Sequence, residues 1–265
     1  MRDGATPNSE RIVMMQIWAV VAVLLFLAAP KMAVAQDYEE ANLEFFYPIV
    51  TRRPVLEREL EFKLEQSKNR EGSATELSAA LEWVVLPRWQ IELEVPFVIN
   101  FPRDDATTGG PGDLEIENKF LLYRSVEDRI LVSAGFTTTL PSGSEGKGLG
   151  GELAFEPFAS AAVALGPFDL IGDVSYRWNV KPDHAEEFAS GLAAAWPVSR
   201  WFTPFVELRT TTPTVAEDHR TQVTLVPGLN VKPFPRSTLA VGVQLPVTSA
   251  RAFDYQVRAL FVKEF

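Results

Sequence analysis

The sequence predicts an all-β fold: a closed antiparallel transmembrane β-barrel of about twelve strands, with short periplasmic turns and longer extracellular loops. Three observations predict it. The first is alternation. Between Leu56 and Gln66, Leu56, Leu60, Phe62 and Leu64 fall on one face, and Glu57, Glu59, Glu61, Lys63 and Glu65 on the other, as a period of two requires of a strand. From Trp89 to Ile99 the apolar Trp89, Ile91, Leu93, Val95, Phe97 and Ile99 oppose Gln90, Glu92 and Glu94 in the same way. The second is length. Such segments run roughly ten to twelve residues, beyond the five or six usual in soluble sheets and enough for a tilted strand to cross a bilayer. The third is the rhythm of the connections, short and long in turn, which places tight turns at one barrel end and loops at the other.

Taken in order, residues 1–35 read as a signal peptide. Arg2 and Arg11 precede an apolar run from Ile12 to Ala29, and Ala33-Val34-Ala35 supplies the small-x-small cleavage site. A retained membrane anchor is the competing reading of that run. Residues 36–54 are acidic, then aromatic (Phe45, Phe46, Tyr47), and carry no period, so they are expected to form a periplasmic lead-in. The barrel is expected over residues 55–265. Its strands fall near Val55–Gln66, Thr75–Leu86, Trp89–Asn100, Asp113–Arg124, Arg129–Leu140, Glu152–Leu165, Phe168–Asn179, Glu187–Trp196, Trp201–Thr212, Thr221–Lys232, Thr238–Leu245 and Asp254–Phe265. Short connections such as Pro87-Arg88 and Gly166-Pro167 alternate with longer polar ones such as Ser67 to Ala74 and Pro141 to Gly151. An even strand count returns both ends of the barrel to the periplasm.

Aromatic rings support this topology. Trp83, Trp89, Trp196 and Trp201 flank short turns and Trp178 lies at the opposite end of its strand, the placement expected of two interfacial girdles. Tyr255, Val257, Ala259, Phe261 and Phe265 share one face of the last strand, which resembles the C-terminal signal read by the barrel-assembly machinery. Prolines fit less easily. Pro157 and Pro227 fall mid-strand and Pro96 and Pro204 nearer strand ends, so a bulge or an unpaired stretch is expected at each. Weak alternation in Glu152–Leu165 and Glu187–Trp196 leaves ten or fourteen strands open.

Charge narrows the function. Without residues 1–35 the chain keeps 22 of its 25 Lys+Arg and 33 of its 35 Asp+Glu, a net charge of −11. That balance argues against nucleic acid, whose phosphates require basic surface. The absence of cysteine removes disulfides and thiolate metal sites. On the inward faces, Glu57, Glu59, Glu61, Glu92, Glu94, Glu115 and Glu117 are expected to form an acidic wall, with Arg177, Arg209 and Arg258 on a basic side opposite. Such a lumen favours cations. The alternative is a lumen plugged by paired charges, since about eight strands fill with side chains and about sixteen leave a channel.

Other chemistry is weakly represented. The only histidines, His184 and His219, lie in neighbouring loops among acids; a shared divalent-metal site is conceivable there, but solvated loop residues explain them as well. A lipid-modifying barrel enzyme needs a serine–histidine pair on the wall, and neither histidine falls inside a strand. No catalytic residue, metal or cofactor is therefore assigned.

Gly112-Asp113-Leu114-Glu115-Ile116-Glu117-Asn118-Lys119-Phe120, followed by Leu140-Pro141-Ser142-Gly143, resembles the paired motifs of an outer-membrane transporter family named for the MetA pathway of phenol degradation. Phe120 stands for the family's tyrosine and Ser142 for its threonine. The resemblance spans roughly Leu77 to Trp178. It implies a barrel that passes a small, aromatic or apolar solute, and it supplies no catalytic residue. The expectation is thus an outer-membrane channel or transporter for passive passage of small solutes, embedded in outer-membrane lipid. A plugged structural barrel that displays its loops stands as the alternative.

Overall fold

Twelve long strands, each hydrogen-bonded to its neighbours in sequence, close on themselves. The computed structural model describes residues 43–180, 186–214 and 220–265; the expected signal peptide and both histidines lie outside them. The strands are β1 (Glu59–Lys68), β2 (Gly72–Leu86), β3 (Trp89–Pro102), β4 (Thr108–Pro111), β5 (Leu114–Ser125), β6 (Ile130–Leu140), β7 (Ala154–Leu165), β8 (Phe168–Asn179), β9 (Glu187–Ala195), β10 (Phe202–Pro213), β11 (Gln222–Val231), β12 (Ser237–Pro246) and β13 (Tyr255–Glu264). β1 meets β13 antiparallel over ten residue pairs, which closes the ring. The short β4 pairs only with β3 and stands outside it. The fold is therefore the expected twelve-strand barrel with one extra strand.

The two faces are chemically inverted relative to a soluble protein. Outward side chains such as Phe62, Val95, Phe97, Leu192 and Val206 are exposed, while inward Glu59, Asp173 and Glu207 are buried. Only a hydrocarbon surround makes that arrangement favourable, and the molecule belongs in the bacterial outer membrane. Rings gather at the short-turn end, where Trp83 packs on Phe265, Trp89 on Phe120 and Phe168 on Trp196 at 5.8–6.4 Å between centroids. Phe101, Trp178 and Tyr255 are exposed toward the loop end.

Each awkward proline sits where the ladder has no need of its missing N–H; Pro204 lies just before the first β9–β10 pair, Phe205↔Ala195. The β7–β8 register runs unshifted from Phe155↔Trp178 to Phe158↔Ser175 with no pairing across Pro157. The β11–β12 register skips from Leu225↔Leu245 to Gly228↔Gly242 across Pro227. These are the unpaired stretches expected, without bulges. Pro96 lies where β3 leaves β5, after Glu94↔Glu115, and takes up β4 at Phe97↔Pro111. The register shifts fall elsewhere, at Val84/Leu86 and Leu121/Tyr123.

Two expectations need correction. The first strand begins at Glu59 rather than Val55, and its connection to β2 shrinks to residues 69–71. More consequentially, the described part of the lead-in does not lie in the periplasm. Residues 43–58 run inside the barrel, entering and leaving at the short-turn end. Glu44 pairs with Lys232 at that rim, at 3.1 Å. Tyr47 donates its N–H to Asn230 (2.7 Å) and accepts from the same amide (2.8 Å). Pro54 accepts from the Ser133 hydroxyl across the lumen, and Arg58 reaches back to the Val84 carbonyl. Val55 and Leu56, expected to open the first strand with Leu56 on its apolar face, are buried here instead.

Candidate functional site in the barrel lumen

Space for this inserted segment comes from the wall. Inward positions on β9, β11 and β12 are small: Ala189, Gly191, Ala193, Ala195, Gly228, Ala240 and Gly242. A Cβ on Gly242 would stand 2.6 Å from the Ile49 side chain, so glycine lets the segment seat there without Ile49 having to shift. Phe46 packs on the inward Phe205 ring at 5.6 Å. Apolar contact alone would leave the segment's backbone unsatisfied. Glu207 answers that need: its carboxylate accepts from the backbone N–H groups of Ile49 (2.7 Å), Val50 (3.2 Å) and Thr51 (2.7 Å). Asp173 accepts from the Arg52 N–H, and the Gln90 side-chain carbonyl from the Glu57 N–H.

Inward carboxylates of β1, β2, β3 and β5 stand close together, and they do not stand bare. Glu65↔Glu76, Glu59↔Glu82, Glu82↔Glu92, Glu92↔Glu117 and Glu94↔Glu115 stand directly opposite one another across adjacent strands. Like charges so placed repel, and cations relieve them. Lys63 lies 3.0 Å from Glu61, 3.2 Å from Glu92 and 2.6 Å from Glu94. Lys119 lies 3.8 Å from Glu82 and 3.5 Å from Glu117. Glu59 accepts from the Tyr47 hydroxyl at 2.8 Å. Among the described residues, Glu115 has only the Thr139 hydroxyl, at 3.2 Å.

Glu57 is placed differently from its fellows. It belongs to the inserted segment, where Arg53 holds it at 2.7 Å and the Tyr47 hydroxyl at 3.1 Å. Burial on its own would raise this carboxyl, but the adjacent guanidinium outweighs burial and keeps it below the usual glutamate range. Nor do the three arginines form a separate basic side. Arg258 pairs with Glu65 at 2.6 Å, Arg209 with Asp173 at 2.7 Å, and Arg177 with Glu152 at 3.1 Å. Arg258 neutralises an acid on the adjacent β1, Arg177 one just before the adjacent β7, and Arg209 one on β8, reached over Gly191 of the intervening β9, so complementary inward side chains meet long before the lumen is crossed.

What sequence reading missed is the pair Arg52 and Arg53. Arg52 stacks on Phe158, its guanidinium carbon 4.1 Å from the ring centroid, and lies 3.3 Å from Glu156 and 3.5 Å from Glu117. Arg53 stacks on Tyr47 at 3.7 Å. The available signal was the excess of small inward residues, which a barrel filled by its own wall has no reason to carry.

The lumen keeps a cavity of about 640 Å³ beside the segment, lined by eleven acids and six bases. At the loop end the two family-like motifs meet. The Asp113 carboxylate accepts from the N–H groups of Gly143, Gly151 and Glu152, each at 2.8 Å, and Ser142 bridges Gly112 and Leu114. They form a hydrogen-bonded clasp between two loops. In sequence, neither a family model nor a curated protein matches this chain. In structure, the chain is similar to the COG4313 outer membrane channel from Pseudomonas putida F1 (TM-score 0.63, 14% identity, covering 84% of this chain and 100% of that one). It is also similar to the KdgM porin (TM-score 0.54, 10% identity, 78% and 99% covered) and the NanC porin (TM-score 0.53, 11% identity, 77% and 99% covered). At such identities the likeness is one of fold: an outer-membrane β-barrel.

Proposed function

We propose that the protein is a passive outer-membrane channel for small solutes, with a cation-favouring lumen that the inserted segment narrows. The observation that carries this reading is the water-accessible cavity of about 640 Å³ inside a closed barrel, where acids outnumber bases eleven to six. Low-dielectric walls focus that excess charge and raise the local concentration of cations. Similarity of fold to channels and porins supports the channel part. A KdgM porin is described in complex with disordered oligogalacturonate; a polyanion of that kind suits the present lining poorly. A phenolic solute has no support in the polar walls.

Among the described residues, no cation lies within ion-pair distance of Glu76, Glu115 or Glu187, all three of which line the cavity. Replacing these three by glutamine should lower the cation-to-anion permeability ratio severalfold, read from the reversal potential under unequal potassium chloride in a planar bilayer. An unchanged ratio would remove the acidic lumen as the source of selectivity. The number of hydrogen bonds holding residues 47–57 favours a second reading, a permanently plugged barrel that displays its loops. A folded, heat-modifiable protein giving no current steps would select it.

A further inference from the structure

We propose that the lumen wall carries a site for planar organic cations, built by Phe158, Glu156 and Glu117, which Arg52 occupies at rest and from which a guanidinium-bearing solute displaces it. The inference rests on the channel reading and names its solute class. All three side chains belong to the barrel. Glu117 on β5 and Glu156 on β7 are both register partners of Thr137 on β6, one rung apart on either side, and Phe158 is the next inward residue on β7. The site is therefore held by the ladder and does not depend on the segment that fills it. Arg53 makes the useful contrast. Its stacking partner Tyr47 and its shortest ion-pair partner Glu57 lie on the inserted segment itself, with Glu59 of β1 farther off at 3.9 Å, so most of its surroundings travel with it.

The resident fits imperfectly. A cation over an aromatic face within about 6 Å is attracted to it, and Arg52 satisfies this at 4.1 Å. Its approaches to the two carboxylates, 3.3 and 3.5 Å, are longer than the roughly 2.7–2.9 Å of a good charge-assisted bond. Arg52 Nη1 is buried with no hydrogen-bond partner. Glu117, nine-tenths buried, keeps Oε1 without one as well, facing only the Lys119 ammonium at 3.5 Å. A backbone tether explains the misfit, since Arg52 must also present its own N–H to Asp173. An untethered guanidinium can settle between both carboxylates while stacking on the ring. Potassium and sodium cannot use such a site well: they are spherical, strongly hydrated and have no N–H edge to share between two acids. Arg52 and Glu117 border the cavity, so a solute in the lumen meets them.

The test uses the refolded protein and ethylguanidinium, which matches the part of the side chain that Arg52→Ala removes. By calorimetry, Arg52→Ala should bind ethylguanidinium about tenfold more tightly than the unsubstituted protein does. It should bind the uncharged isostere N-ethylurea no better than the unsubstituted protein. Adding Phe158→Leu should weaken the ethylguanidinium binding severalfold. Equal binding of the two probes, or indifference to Phe158→Leu, overturns the site. If Arg52→Ala does not give a heat-modifiable barrel, Arg52→Ser vacates the same volume and carries the same test. Calorimetry reads the site whether or not the barrel conducts. Tight binding in a protein that gives no current steps would sustain the site and overturn the channel, whereas steps without binding would do the reverse.

Discussion

Glu207 shows how much one inward residue can decide. It is fully buried and accepts from three consecutive backbone N–H groups of the inserted segment. Glu207→Ala should leave those donors unsatisfied and cost about 2 kcal/mol of local seating. Amide exchange at residues 49–51 should then speed up roughly thirtyfold, while the strands exchange as before. Unchanged exchange would mean that packing alone retains the segment. At this scale the sequence was only partly legible. Alternation identified Glu59, Glu61, Glu92, Glu94, Glu115 and Glu117 as inward, because facing follows from period alone. It could not say that Lys63 would hold three of them or that Arg177, Arg209 and Arg258 would each be spent on a nearby acid. Pairing depends on register between strands, and register is not written within any one strand.

Elements were more legible than residues. β2, β3 and β5 to β13 fall within a few residues of their expected bounds, since lipid on one side and water on the other enforce a strict period over the whole crossing. β1 departs from expectation at its start because Leu56-Glu57 continues the alternation by accident while the Glu57 N–H bonds to the Gln90 side chain rather than to a neighbouring strand's backbone. The outward face offers a direct check. Leu93 on β3 lies between Leu81 and Ile116 on its two neighbours, so Leu93→Arg places a charge near the bilayer midplane. That should destabilise the barrel by about 2–4 kcal/mol, lowering its urea midpoint, whereas Glu94→Gln on the other face should leave the midpoint nearly unchanged. Equal shifts would reverse the assigned facing.

For the molecule as a whole, the question is how firmly the lumen is filled. Much of the grip on residues 47–57 comes from carboxylates. Glu57 adds to it from within by bracing the segment's own fold: because Arg53 holds its carboxyl below the usual value, its contribution is present in full above the ordinary glutamate value of about 4.3. That contribution is lost as pH falls through the lowered value. Acidification to that range should therefore raise the frequency of current steps in the planar bilayer, and constant behaviour between neutral and acid pH would show that carboxylates do not govern the seating. Strand order carries one more consequence. The inserted segment leads straight into β1, and β1 supplies the last seam, against β13. The segment's seat spans strands from β3 to β11, and the Tyr47 hydroxyl ties it to Glu59 of β1 and Glu264 of β13 at the seam itself. Threading an extended chain into an already sealed ring would require dragging it past its own closing strand. During biogenesis the guest and the zipper must arrive together, as one cooperative event. Refolding should therefore show ring closure and the burial of Tyr47 with a single rate constant. Two separable phases would mean that the barrel can seal empty and admit its occupant afterwards.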